Sequence, residues 1–273
     1  LSIAAFVLPY STVPLSAVVP ILSRSCLIRS AMSWIPLEAN PELFGVFYRL
    51  FKYIVKLGVE SCWRFWDIYG LDGDSLSVVP KPVIAVLLLF PMSSEVEKIP
   101  IGQEVDCSDL FFMKQTVNNS CGAVALLHAL VNNKSRLTFT DPSFLCAFIE
   151  KLKNLAPSER ASEMMKLPKL DEIHENSAMR GQTKAPDPMA STNLHFTCFV
   201  QSQSKVYELG KRIFNYFIAF SVFSDGRRNH PVVHSETSSD TFLEDVCCVV
   251  KRFMSRDPSS VNFSLVALSR VPQ

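Results

Sequence analysis

A cysteine marks the junction between a polar run and an apolar stretch. Residues 115–130 read QTVNNSCGAVALLHAL, and Cys121 stands immediately before the helix-forming part of this sequence. The thiolate is the nucleophilic form of cysteine, and a helix N-terminus stabilises it through backbone N–H groups and the positive end of the helix dipole. Gly122 lets a backbone or substrate approach closely. The pattern predicts a nucleophilic thiol, although position alone does not distinguish it from a buried structural cysteine.

A cysteine nucleophile needs a base, and His195 is the best candidate. It opens the strand-like stretch NLHF after a long polar segment, although a lone histidine there is often structural. A histidine base needs an acceptor that orients its other ring nitrogen, and Asp225 in SDGRRNHP is a candidate, even though Asp-Gly is also a common turn dipeptide. Gln115 can direct its amide toward a developing oxyanion, together with the Cys121 backbone N–H. As a set, the four residues predict a cysteine hydrolase.

Composition restricts the class of protein. The chain has 273 residues, of which 48% are apolar and 19% are charged, and this is a globular composition. Its net charge of +1 offers no electrostatic argument for binding nucleic acid or an anionic membrane. The eight cysteines include no CxxC pair that would suggest a zinc site. We therefore expect reduced thiols in the cytoplasm or nucleus. We also expect no metal or other cofactor, and a monomer.

The first 31 residues differ from the rest of the chain. They contain no acidic residue and many serines, as transit peptides do, but three prolines interrupt any helix that could span a membrane. We interpret 1–31 as an extension outside the domain, translated from upstream sequence. The catalytic domain is then expected to cover 32–273.

Hydrophobic periodicity predicts an α+β fold, because helices and strands are mixed without βαβ alternation. In the first half of the chain we expect a helix from about Asn40, a buried strand over 82–92, and helices after Cys121 and over 143–155. A helix capped by Ser158 then stops at Pro168, and an irregular loop over 168–193 follows it. The last expected elements are a hairpin of 194–201 and 205–209, a helix over 238–257 and a strand over 261–269. The segment 210–224 fits no element, since it is rich in phenylalanine and uncharged after Arg212.

Five stretches in order carry a resemblance: WIPLEANPE, FMKQTVNNSCGAVALLHAL, GQTKAP, LHF, and VYEL with a later DGR. Together they resemble the ubiquitin carboxyl-terminal hydrolase family, in particular its small single-domain members. The resemblance implies a papain-like α+β fold, with an antiparallel central sheet, helices on both faces and a knotted chain path. It also implies that Cys121 is the nucleophile, His195 the base, Asp225 the group that orients it, and Gln115 an oxyanion donor.

The resemblance further implies a partner, ubiquitin or a ubiquitin-like protein, which is cleaved after its terminal Gly-Gly. The stretch 168–193 would be a crossover loop that admits only small or unfolded leaving groups. Lys184 and Ser260 stand where the family commonly has an acidic residue, so we expect weaker or more salt-tolerant ubiquitin binding. The implied contact residues are Pro36, Leu37, Glu38, Ala39, Asn40, Pro41, Ala178, Met179, Arg180, Gly181, Gln182, Thr183, Lys184, Ala185 and Ser260.

One departure leaves the function open. In the family the strand runs straight into the aspartate, whereas 210–224 separates Leu209 from Asp225 here, and a retained intron is our hypothesis for it. The predicted function is thiol-dependent hydrolysis of ester, thioester, amide and small peptide adducts at the C-terminal glycine of ubiquitin. The alternatives are a catalytically impaired ubiquitin-binding protein, in which the insertion displaces Asp225, and a transacylase or ligase that uses the same thioester.

Overall fold

A strand buried on both faces lies inside the described sheet. In the computed structural model, β2 (Val83–Pro91) is buried at every position except its last. It pairs antiparallel with β4 (Leu194–Ser202) on one side and with β7 (Ser264–Arg270) on the other. The continuous apolar run predicted this burial, because a strand covered on both faces has no position that favours a polar side chain.

The structure describes residues 46–92, 101–115, 119–178, 194–210 and 230–272, with the backbone alone at 46–49 and 175–178. The start of the first predicted helix, residues 179–193 and the insertion beyond Gly210 lie outside these ranges. All described residues belong to the compact unit Ser33–Gln273.

The described strands form one antiparallel sheet in the order β1-β7-β2-β4-β5-β6-β3. The remaining strands are β1 (Trp63–Asp67), β3 (Gln103–Glu104), β5 (Lys205–Leu209) and β6 (Val232–Glu236). The predicted hairpin is confirmed, since β4 and β5 pair across a short turn. We did not predict β1, β3 or β6, which are short and lack a long alternating pattern.

Helices cover both faces of the sheet. They are α1 (Val46–Lys56), α2 (Gly73–Ser77), α3 (Cys121–Asn132), α4 (Phe144–Leu152), α5 (Pro157–Met164), α6 (Pro168–Ala178) and α7 (Phe242–Met254). One apolar cluster lies between the sheet and α1, α3, α4, α5 and α6, and a second lies between the opposite face and α2 and α7. Within the described ranges, the helices are too short or too polar to cross a lipid bilayer.

The N-terminus of α5 corrects one prediction. Ser158 is not the cap, because α5 begins one residue earlier, at Pro157, with Ala156 at the N-cap position. Proline suits the first helical position, since it has no N–H to satisfy there and its φ is already helical. Glu159 accepts a hydrogen bond from the Ala156 N–H at 2.8 Å, which stabilises this start.

The stretch predicted as an irregular loop begins with a helix instead. Residues 168–178 form α6, and its buried residues Leu170, Ile173 and His174 lie on one face, as i, i+3 and i+4 positions do. This face packs on α1, where the ring of Tyr53 meets that of His174 edge-on at 6.1 Å. Because the sequence of this stretch is mostly polar, its narrow apolar stripe did not predict a helix.

Candidate active site

Cys121 is the first residue of α3, as its sequence position predicted. Its side chain is half-buried, whereas the following residues, Gly122 to Leu130, are all buried. The helix packs across β2 and β4, and the thiol accepts a hydrogen bond from the backbone N–H of Phe196 on β4. The helix start is therefore held against the beginning of β4, the strand that carries His195.

The acidity of this thiol differs from the expectation for a helix start. Burial raises the pKa of Cys121, and the backbone N–H groups of Phe196 and Gly122 lower the pKa by less. The net shift is upward, because desolvation of the thiolate outweighs its hydrogen bonds. A thiol with a raised pKa must give its proton to a base when it reacts.

His195 is the second residue of β4 and is buried. It lies directly opposite Phe90 of β2, and the two rings meet edge-on. Because side chains alternate along a strand, His195 shares the face of Phe90, while Phe196 belongs to the cluster under α3. The imidazole thus stands one residue away from the backbone group that binds the thiol.

Gln115 is buried and ends a segment that α3 and α5 hold in place. The Asn132 amide binds both backbone groups of Phe111: its oxygen accepts from the N–H at 2.8 Å, and its nitrogen donates to the carbonyl at 2.9 Å. Arg160 donates to the Phe112 carbonyl at 2.8 Å, and its guanidinium lies 4.6 Å from the centre of the Phe111 ring. The backbone that leads to Gln115 is therefore fixed before it reaches the site.

A buried histidine completes this support. His128 stacks on Phe112, with ring centroids 5.5 Å apart and planes 11° apart. Its Nε2 accepts from the Met113 N–H at 3.0 Å, and its Nδ1 lies 3.2 Å from the Leu209 carbonyl oxygen. Burial, with a smaller contribution from the charge of Arg160, lowers the pKa of His128 to about 4. His128 is seven residues after Cys121, and this spacing places both on one face of α3.

The stretch that contains Asp225 lies in the sequence between β5 and β6, and these two strands pair with each other. Glu208 lies opposite Val232 in the sheet, and the Glu208 carboxylate is 3.1 Å from Nε2 of His234, with both side chains at most 3% exposed. Asp225 itself lies outside the described residues. The described chain stops at Gly210 and resumes at His230, beside this pairing.

Most of the predicted ubiquitin contacts also lie outside the described residues, namely Pro36–Pro41 and 179–185. Ala178 is the last residue of α6, where the structure describes only the backbone. Ser260 lies between α7 and β7, half-buried, and its hydroxyl accepts from the Asn262 N–H at 3.3 Å. These contacts therefore stay predictions.

The other groups of chemical interest in the described ranges can be stated briefly. No three His, Cys, Asp or Glu side chains there lie close enough together to hold a metal ion. The described cysteines are all free thiols, and Cys121 is the one among them that begins a helix.

A thiol at a helix start, packed on an antiparallel sheet strand that has a histidine as its second residue, is the arrangement of a papain-like cysteine hydrolase. The family profile "Ubiquitin carboxyl-terminal hydrolase, family 1" matches residues 34–255 of the chain. The chain is 40% identical over 231 residues to a ubiquitin carboxyl-terminal hydrolase of Aplysia californica, covering 84% of this chain and 98% of the other. It is 38% identical over 250 residues to one of Drosophila melanogaster, covering 89% and 100%. The chain therefore belongs to the ubiquitin carboxyl-terminal hydrolase family.

A solved structure confirms the fold class. The catalytic domain of Trichinella spiralis UCH37, bound to ubiquitin vinyl methyl ester, is similar with a TM-score of 0.67 at 19% identity, covering 89% of this chain and 98% of that chain. The predicted α+β fold, an antiparallel sheet flanked by helices, is thus confirmed. The prediction of a cysteine-type ubiquitinyl hydrolase is confirmed at the level of the family.

Proposed function

We propose that this chain hydrolyses ester, thioester, amide and small peptide adducts at the C-terminal glycine of ubiquitin. The observation that carries the proposal is the position of Cys121. It lies at the start of α3 and is hydrogen-bonded to the backbone N–H of Phe196, the residue that follows His195 in β4. Membership of the family supports ubiquitin as the partner, as does the ubiquitin ester bound to the similar Trichinella spiralis domain.

In the proposed reaction, His195 takes the proton from the Cys121 thiol, and the sulfur attacks the carbonyl carbon of the terminal glycine. The oxyanion accepts hydrogen bonds from the Gln115 amide and from the Cys121 backbone N–H. The tetrahedral intermediate collapses to a thioester as the leaving group departs with a proton from the imidazolium. Water, deprotonated by His195, then attacks the thioester and releases ubiquitin. Asp225 orients His195 in this scheme.

The register between β4 and β5 indicates where an acid could orient His195. Cys198 lies opposite Leu209, so a residue that directly follows Leu209 lies opposite Thr197. Thr197 is two residues from His195 along β4 and therefore on the same face. Gly210 occupies this position here, while Asp225 comes fifteen residues later. The insertion therefore changes the position from which the acid must reach the imidazole.

Two observations favour activity despite the insertion. The pairing of β5 with β6 holds both ends of the lengthened stretch, and the buried contact of Glu208 with His234 reinforces it. Closing a loop lengthened by fifteen residues costs on the order of 1 kcal/mol, since closure entropy grows only with the logarithm of length. The second candidate, an impaired ubiquitin-binding protein, is favoured by the distance in sequence between Asp225 and the position opposite Thr197.

The test is intact-mass analysis after incubation with ubiquitin that carries a C-terminal electrophile. We expect one ubiquitin adduct, lost in Cys121→Ser and kept in Cys248→Ser, which removes an exposed thiol. Turnover of a fluorogenic ubiquitin amide would then establish hydrolysis. Binding of ubiquitin with neither adduct nor turnover would instead support the impaired binder, and absence of binding would contradict both proposals.

The proposal also covers the oligomeric state, the cellular compartment and the need for a cofactor. We propose a monomer in the cytoplasm or nucleus, since free thiols persist in reducing compartments. The reaction as written uses no cofactor. Size-exclusion chromatography and imaging of the tagged chain would test these points.

A further inference from the structure

One buried histidine has no step in the proposed reaction and yet contacts two segments of the site. We infer that His128 is a positioning residue, which ties the backbone that leads to Gln115 to Leu209, the last residue of β5. The inference rests on the proposed function, because it concerns the same oxyanion donor.

Hydrogen-bond chemistry defines the form of this histidine. The Met113 N–H can only donate, so Nε2 must accept. The Leu209 carbonyl can only accept, so Nδ1 must carry the proton. The neutral imidazole protonated at Nδ1 is therefore the form that satisfies both partners. Burial, which lowers the pKa of His128 to about 4, keeps it neutral at physiological pH.

The Met113 bond bears directly on Gln115. Met113 is two residues before Gln115. Phe112, the residue before Met113, stacks its ring on the same imidazole. Cys121 stands on the same face of α3, seven residues before His128. One rigid helix therefore carries the nucleophile at its start and holds the oxyanion segment two turns later. A misplacement of about 1 Å in such a constellation can lower a rate about a hundredfold.

The Leu209 bond bears on the end of β5, the strand that precedes Asp225 in the sequence. Leu209 lies opposite Cys198 of β4, and its carbonyl is bound by Nδ1 of His128 from the α3 side of the sheet. Both ring nitrogens are thus engaged by backbone groups from segments 96 residues apart in the chain. His128 acts on the reaction through the segments that it holds and not by transferring a proton.

Two amide variants separate the two bonds. The side chain of His128→Gln can place its oxygen near Nε2 and keep an acceptor for Met113, whereas His128→Asn can place its nitrogen near Nδ1 and keep a donor for Leu209. Asn133→Ala is the matched control, because Asn133 is also polar and buried and is the C-cap residue of α3, but its amide donates to the Ala129 carbonyl of that helix at 2.9 Å. His128→Ala removes both bonds.

The measurements are kcat and KM for a fluorogenic ubiquitin amide, and hydrogen exchange of peptides over 110–115 and 205–209. In His128→Ala we expect kcat to fall about tenfold or more with KM within about twofold, as for a group that supports an oxyanion donor. Exchange should quicken over 110–115 in His128→Asn, and His128→Gln should retain more of the activity and of the protection there.

Equal loss of kcat in His128→Ala and Asn133→Ala would overturn the inference, because a general loss of packing would then explain it. Unchanged exchange of both peptides in His128→Ala would also overturn it. If the wild-type chain neither forms an adduct nor turns over the amide, the proposed function fails, and hydrogen exchange alone still decides whether His128 ties the two segments.

Discussion

The ring of Phe90 stands nearly perpendicular to the imidazole of His195, with centroids 5.9 Å apart and planes at 86°. The two residues are cross-strand neighbours on β2 and β4, so the backbone register imposes this contact. An edge-to-face contact limits rotation of the imidazole and is worth about 1 kcal/mol. The orientation of the proposed base therefore depends on a residue of the apolar core.

Replacing Phe90 should therefore affect catalysis as well as stability. We expect Phe90→Leu to lower kcat several-fold and the free energy of unfolding by about 1 kcal/mol. Phe253→Leu is the control, since Phe253 packs on Phe90 at 5.1 Å within the same cluster. Steady-state kinetics and urea unfolding would measure both effects. A comparable fall in kcat for the control would show that the packing of the cluster, and not the contact with His195, matters.

Protonation of His128 should destabilise the protein in acid. Its pKa is 6.5 when exposed and about 4 in the folded protein, so between these values the unfolded chain binds more protons. Stability contributed by the neutral form is thus complete above pH 6.5 and falls as the pH drops toward 4, by about 3 kcal/mol in total. The check is urea unfolding from pH 7 to 4. His128→Gln should flatten this dependence, and an identical slope in the variant would contradict the assignment.

The raised pKa of Cys121 predicts slow alkylation in the absence of substrate. At pH 7 the thiol should react with iodoacetamide more slowly than the exposed Cys248, because it is partly buried and protonated. Its rate should rise with pH, with a midpoint above the ordinary value of about 8.5. Peptide mass mapping over a pH series measures this. A midpoint below 7 would show that a nearby cation stabilises the thiolate.

Removal of 210–224 should raise activity if Asp225 is the orienting acid. The deletion joins Leu209 directly to Asp225 and places the carboxylate opposite Thr197, on the face of His195. We expect kcat to rise at least about tenfold, since loss of triad orientation can cost about four orders of magnitude. Asp225→Asn in the shortened chain should reverse the gain. An unchanged kcat would mean that the insertion does not disturb the acid.

The charges at two predicted ubiquitin contacts can be tested by adding acids. Lys184→Glu together with Ser260→Glu should raise the association rate with ubiquitin and make it fall more steeply with salt, because rim charges act mainly on association. The wild-type rate should depend weakly on salt. Stopped-flow measurements at several ionic strengths compare the two, and a steep dependence in the wild type would contradict the expectation.

Local sequence predicted the elements whose signals are local. The apolar run of β2 and the junction at Cys121 needed no distant partner to be recognised. By contrast, β1 exists because it pairs with β7, as Trp63 does with Arg270. The sequence of a five-residue stretch does not indicate a partner so far along the chain. The helix α6 was missed because its sequence is mostly polar.

The same limit applies to the site. Cys121 and His195 are predicted from residue type and context, whereas the role of His128 depends on Leu209, 81 residues away. The direction of the Cys121 pKa shift depends on how deeply the thiol is covered, which the helix start alone does not reveal. Packing, and not spacing, decides both properties.

The pairing of β5 with β6 also has an evolutionary consequence. Glu208 lies opposite Val232 although 210–224 stands between these strands in the sequence, so the register of the sheet is compatible with the longer connection. A gene can therefore gain or lose codons at this point while the strands keep their partners. Length changes within α3 would instead rotate the nucleophile, by about 100° for each residue. The connection between β5 and β6 is also a suitable place to insert a reporter peptide.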